Sequence, residues 1–217
     1  MPTGVALRDP KEQLFAAAER VLLRDGPAGL TSRAITDEAG CAKGVLHRHF
    51  EDFDAFLAEL VRDRASRVTA RSAQLVEVVG LGSPIVHLTG ALFDLFDPVA
   101  VGIVGLITVR DGLRARLRRT WPRGVPILAE GRAMVTEYLA AERNRGRIAK
   151  GTDLDAIALM LIGSTHLIFA GADVPPTRGE VRSVVAAVVA RIIEVGDPGD
   201  LGDIGEFAAG DVDITGV

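Results

Sequence analysis

Apolar residues recur along this chain at spacings of three and four, and no stretch alternates in twos for long, so the pattern predicts helices throughout. The clearest stripe is Val181, Val184, Val185, Val188, Val189, Ile192 and Ile193. Its side chains are β-branched, but the period outranks the propensity, and a helix is expected over about 178 to 195, ending at Gly196 with Pro198 just beyond. A first helix opens at Asp9-Pro10-Lys11-Glu12, with Asp9 as cap, Pro10 at the first helical position and Glu12 where a capping box places its acid. It runs to about Asp25, where Gly26-Pro27 closes it. A third stripe, Phe53, Phe56, Leu57, Leu60, Val61, Arg64 and Val68, follows Asp52 and continues past residue 70. This long helix joins an N-terminal unit to the remainder. Further helices are expected at about 84 to 96, 99 to 112, 124 to 146 and 153 to 171, divided by turns such as Asp97-Pro98 and Val174-Pro175-Pro176. The fold class is all-α, with about nine helices.

Between the first and the long helix, Leu30 to Phe50 reads as two short helices, about 32 to 38 and 42 to 48, that meet at Gly40. A glycine there can take the left-handed conformation that ends one helix and turns the chain sharply. That is helix-turn-helix geometry. Ile35, Ala39, Val45, Leu46 and Phe50 supply the apolar contacts, and Lys43, His47 and Arg48 fall on or near the opposite face. A short helix with donors on its outer face can enter the DNA major groove, where Lys and Arg meet guanine O6 and N7.

At these residues the chain resembles the tetracycline-repressor (TetR) family of bacterial transcription regulators. The shared features are the amphipathic first helix ending before Gly26, the Leu30-Thr31 lead-in, the Ala39-Gly40 turn, Lys43-Gly44, the His49-Phe50 pair and a fourth helix opening through Phe56-Leu57. They cover about residues 10 to 60; beyond them the agreement is in length, helix count and two apolar C-terminal helices. The resemblance implies an N-terminal helix-turn-helix domain over 1 to 52, a helical effector-binding and dimerisation domain over 53 to 195, and DNA contacts from Lys43, Gly44, His47, Arg48 and His49 at the groove with Thr31, Ser32 and Arg33 at flanking phosphates. Four positions depart from the family pattern. Ala42 replaces the usual capping serine, Val45 a hydroxyl residue, His47 the common tyrosine, and Phe53 a lysine at the start of the fourth helix.

Charge bears on that expectation. The net is −4, and residues 196 to 217 alone carry six acids and no base. This tail is expected to be disordered. Residues 1 to 70 sum to −1 where a DNA-binding unit is expected to be basic, whereas 110 to 150 sum to +7, with Arg114, Arg116, Arg118, Arg119 and Arg123 among them. DNA binding should therefore need two copies and fall steeply with salt.

The helices at 153 to 171 and 178 to 195 have more apolar surface than a monomer can cover, so pairing with their symmetry mates in a four-helix bundle is expected, with recognition helices about one DNA turn apart on a palindromic operator. The family usually encloses a pocket for a small effector between the fourth and eighth helices. Here His87, Phe93, Phe96, Thr108, Trp121, Met134, Tyr138, Met160 and His166 are the candidate lining, a mostly apolar set suited to a small hydrophobic effector whose binding releases the operator.

Composition narrows the remaining classes. With 48% hydrophobic and 25% charged residues the chain is globular in usage, and its single cysteine, Cys41, cannot form an internal disulfide. The first twenty residues lack the layout of a secretory signal, so the expected compartment is the reducing cytoplasm. Ala156 to Ala172, the longest uncharged stretch after residue 150, is shorter than the about 20 residues that cross a bilayer. No Gly-rich phosphate loop, metal-spaced His/Cys cluster or activated nucleophile marks an enzyme, and no cofactor is expected. The alternative reading is a ligand-binding or partner-binding helical dimer with a weakened DNA-reading head.

Overall fold

A computed structural model describes residues 9–172 and 174–193. Among them the chain forms ten α-helices and no strand beyond a single antiparallel bridge between Ile148 and Ile193. The acidic tail expected to be disordered lies outside the described residues. The first three helices, α1 (Pro10–Gly29), α2 (Ser32–Glu38) and α3 (Gly44–His49), pack on one another, and α1 and α3 meet the start of α4 (Phe53–Glu77). The rest comprises α5 (Pro84–Leu95), α6 (Pro98–Val109), α7 (Asp111–Leu117), α8 (Pro126–Asn144), α9 (Leu154–Ala170) and α10 (Arg178–Val189). Helix α4 belongs to both regions: its first turns complete the reading head and its later turns pack along α8.

Local chemistry starts these helices where the sequence predicts. Asp9 accepts from the Lys11 and Glu12 amides at 3.1 and 3.2 Å, Asp52 from Ala55 at 2.7 Å, Asp97 from Ala100 at 2.8 Å and Asp153 from Ala156 at 3.0 Å, each satisfying donors that have no partner within the helix. The reciprocal capping box occurs at Thr177 and Glu180, at the start of α10.

Three boundaries differ from expectation. Helix α1 does not stop at Gly26; it kinks there, at φ 68°, and one more turn carries it to Gly29. Helix α10 ends at Val189, and Ile192 and Ile193 leave the stripe to meet the Ile148 segment, with the Ala149 amide donating to the Ile192 carbonyl at 2.9 Å. The single helix expected over 99 to 112 is two. Arg110 is extended (φ −111°, ψ 102°) and its guanidinium turns back to Asp54 on α4, so α7 begins afresh at Asp111 and raises the expected nine helices to ten.

Two cores differ in material. In the reading head the buried rings of Phe15, Phe50 and Phe56 pack with centroids 5.0 to 6.3 Å apart. The body is aliphatic, built on Leu60, Leu88, Leu92, Ile103, Leu106, Leu139 and Leu161 with Phe96 and Tyr138 as its large rings. The two meet directly where Leu22 of α1 lies over Gly102 of α6: a Cβ on that glycine would come within 2.9 Å of the Leu22 Cγ, so only the bare backbone admits this approach. Among the described residues no single helix is long and apolar enough to cross a membrane; α5 and α6 qualify together but are bent by 59°.

Candidate functional site

Helix α2 opens at Thr31, whose hydroxyl oxygen accepts from the Ala34 amide at 3.1 Å, and buries Ile35 and Thr36 against α1. It ends in a Schellman turn. Gly40, at φ 65°, donates to the Asp37 carbonyl at 3.2 Å and Cys41 to that of Thr36 at 3.0 Å, which reverses the chain between the two helices. Arg20 and Arg24 of α1 clasp Glu38 at 2.7 Å each and hold its carboxyl below the usual range. Cys41 is half-buried, and that burial pushes its thiol pKa up, the opposite of an activated nucleophile.

Helix α3 is six residues long, with Leu46 fully buried and Phe50 closing the aromatic core beneath it. Its other side is bare. Lys43, Gly44, His47, Arg48 and His49 are all exposed, and among the described residues none of the four side chains has an ion-pair partner. The structure thus brings all five expected groove residues onto one short rod. Thr31, Ser32 and Arg33 sit at the neighbouring start of α2; Thr31 and Arg33 are exposed, and Arg33 makes a surface pair with Asp37 at 3.5 Å, of the kind worth little in water.

The departures from the family pattern have local accounts. Ala42 leaves the start of α3 with no side-chain cap, so this helix depends on its tertiary packing. Phe53 is half-buried, stacked on Phe56 with centroids 6.0 Å apart, and Arg110 lies over its ring at 5.2 Å. The acids around it are matched from α7 and its lead-in residue. Arg110 donates to Asp54 at 2.7 and 3.1 Å, and Arg116 pairs with Asp52 and, at 3.3 Å, with Glu51. The Asp52 carboxyl is held low first by the Ala55 amide and then by Arg116.

Among the described residues, the nine positions expected to line an effector pocket are spread over several places. A cavity of about 160 Å³ lies among α4, α5, α6 and α8, and of the nine only Met134 borders it. Its other apolar walls are Val68, Ala91, Leu95, Ala100 and Ile127, and its rim carries Arg64, Arg67, Arg71, Asp94 and Asp97. His87 and Tyr138 instead belong to a polar chain: their Nδ1 and hydroxyl are 3.0 Å apart, and Tyr138 donates to the fully buried Glu142 at 2.6 Å. Arg147 stands 3.5 Å from that carboxyl group. Phe93, Phe96 and His166 cluster with Phe169 at centroid separations near 6 Å. Burial lowers the pKa of both His87 and His166 and keeps these imidazoles neutral. Thr108 and Trp121 border a separate cleft of about 270 Å³ beside α7, where Trp121 donates to Glu130 at 2.8 Å. Met160 faces away from the interior, 49% exposed on α9.

The arginine row was the overlooked signal. Positions 64, 67 and 71 fall on one face of α4, visible as an i, i+3, i+7 series. Arg64 lies 3.5 Å from Glu19 on α1 and also pairs with Asp97, so the cavity rim is tied to the first helix of the reading head. On the outside of the body, α9 exposes Leu159 (58%), Met160 and Leu167 (72%) around Gly163, a second apolar face on a helix whose first is already buried.

Residues 14–60 match the family described as bacterial regulatory proteins, tetR family. No curated protein matches the sequence. Solved structures similar over most of the chain include SmeT, the repressor of the Stenotrophomonas maltophilia multidrug efflux pump SmeDEF, at 16% identity and TM-score 0.60, covering 87% of this chain and 93% of that one. The transcriptional regulator FadR from Bacillus subtilis, solved in complex with stearoyl-CoA, is 18% identical at TM-score 0.63, covering 83% and 98%. A transcriptional regulator from Rhodococcus sp. Rha1 is 22% identical at TM-score 0.60, covering 84% and 97%. Residues 14–60 are therefore similar to the tetR family, and the described chain shares the all-helical fold of these solved regulators.

Proposed function

We propose that this chain, with its tetR-family reading head, is a cytoplasmic transcriptional repressor that binds a palindromic operator as a homodimer and is released by a small effector. The observation that carries the reading is the exposed set Lys43, His47, Arg48 and His49, without ion-pair partners among the described residues, on a helix anchored by the buried Leu46 and by Phe50 in the aromatic core. Such a rod has the donors and the width to enter a major groove. Residues 1 to 52 form the DNA-binding domain and 53 to 195 the effector and dimerisation domain. Thr31, Ser32 and Arg33 meet flanking phosphates. The uncovered apolar face of α9, with α10 beside it, is the surface on which a second copy packs.

The cavity favours a compact effector. At about 160 Å³ it is close to a cavity of roughly 150 Å³ that accepts benzene, so one ring or a short chain fits within its apolar walls, with a polar group at the arginine rim. A ligand that favours a different spacing of α4, α5 and α6 acts on the head through Arg64, Asp97 and Glu19, to the extent that it binds the two states unequally.

Selecting bound fragments from the source genome tests the reading. Recovery of palindromes with half-sites one helical turn apart, bound about a thousandfold or more weaker at 200 mM than at 50 mM salt, is the expected result. Salt-insensitive binding, or none, would sink it, and a ligand that tightened operator binding would reverse the sign of regulation. Uptake of apolar compounds without binding to any DNA fragment would favour a ligand-binding dimer with a silent head.

A further inference from the structure

Where the resemblance implies a lysine at the start of α4 the chain has Phe53, and Glu51, Asp52 and Asp54 around it would repel a phosphate backbone. Arg110 and Arg116 are engaged in offsetting these acids. The turn that ends α7 continues with Arg118 and Arg119, both exposed, and among the described residues neither has a carboxylate partner. Arg119 borders a cleft of about 370 Å³ whose walls include Lys11 of α1, His49 of α3, and Glu59 and Arg62 of α4. Lys11 and Arg62 share Glu59 at 2.8 Å each, and Arg116 faces Glu51, so these walls carry more cations than carboxylates, and among the described residues Arg119 is the arginine or lysine there with no carboxylate partner.

Position gives that charge a use. His49 is the last residue of α3, and a helix seated in a groove about 12 Å wide has a phosphate strand beside each end. Arg119 lies across one cleft from His49, on the side of the head where such a strand would run. We propose that Arg119, backed by Arg118, is a DNA-phosphate contact delivered by the C-terminal body, taking the place of the cation absent at Phe53. The inference rests on the DNA-binding reading above.

A backbone contact carries no sequence information, so it can be measured on a mixed-sequence 30-bp duplex with the full chain, by fluorescence anisotropy between 50 and 200 mM KCl. In a dimer each substitution removes two contacts. Arg119→Ala is expected to make the slope of log K against log salt shallower by about 2, and Arg118→Ala/Arg119→Ala by more. Arg119→Lys, which keeps the charge, is expected to retain the wild-type slope and separates lost contact from lost folding. Arg123→Ala, an exposed arginine not on the walls of this cleft, is expected to behave as wild type. Wild-type slope and affinity in the double variant would overturn the proposal while leaving DNA binding intact, as would an equal effect of Arg123→Ala, which would mark a diffuse field. No duplex binding by the wild-type chain would remove both readings together.

Discussion

Among the described residues, helices α3 and α9 each leave one face exposed, and the two faces are opposite in kind. Helix α3 is short, lacks a side-chain cap and shows Lys43, His47, Arg48 and His49; α9 runs 17 residues from its Asp153 cap and shows Leu159, Met160 and Leu167. A charged face is stable in water by itself and gains from a polyanion through counterion release. An apolar face gains from being covered, whichever surface covers it, and a helix apolar on both sides is ordinarily buried. The contrast separates the two associations: binding at α3 should respond to salt, and pairing at α9 should respond to the loss of apolar area.

The largest expected effect breaks the apolar half. Leu159→Glu with Leu167→Glu places charges at positions already open to solvent, so helical content should survive while sedimentation reports monomers. Operator affinity should fall by about 10²–10⁴-fold, because the second head loses its effective concentration. An intact dimer in this variant would move the interface elsewhere. Next comes the charged half: Lys43→Ala or Arg48→Ala should each cost about 1–3 kcal/mol of operator binding, with dimer and melting temperature unchanged. Competition with scrambled duplexes refines this, since a base contact relaxes specificity at one position and a phosphate contact weakens all sequences alike. The smallest change sharpens the contrast in capping. Ala42→Ser restores a hydroxyl where α3 has none and should add about 0.5–2 kcal/mol of stability, read by urea titration; no gain would show that α3 owes nothing to its terminus.

The reading head was legible because its parts are close in sequence. Residues 31 to 50 carry cap, turn glycine, buried positions and cations within two short helices, so the helical period alone decides which side chains share a face. The cavity was not, because its walls come from α4, α5, α6 and α8, and which flank of each meets a void depends on how the helices cross. Met160 illustrates the difficulty: α9 is apolar on both sides, and periodicity does not say which side is inside. Arg64 stands in the α4 stripe, but the carboxylates that Arg64, Arg67 and Arg71 meet lie on α1 and α5, which spacing along α4 does not reveal. Helix α7 was hidden because no glycine or proline precedes the break; a guanidinium reaching Asp54, fifty-six residues back, pulls Arg110 out of the helix.

Leu22 resting on Gly102 bears on modular engineering. Transplanting a foreign reading head by cutting at the loop before α4 would carry in another regulator's side chain at position 22, with no recess shaped to receive it. A chimera that keeps this knob, or exchanges it together with its glycine socket, preserves the fit between head and body.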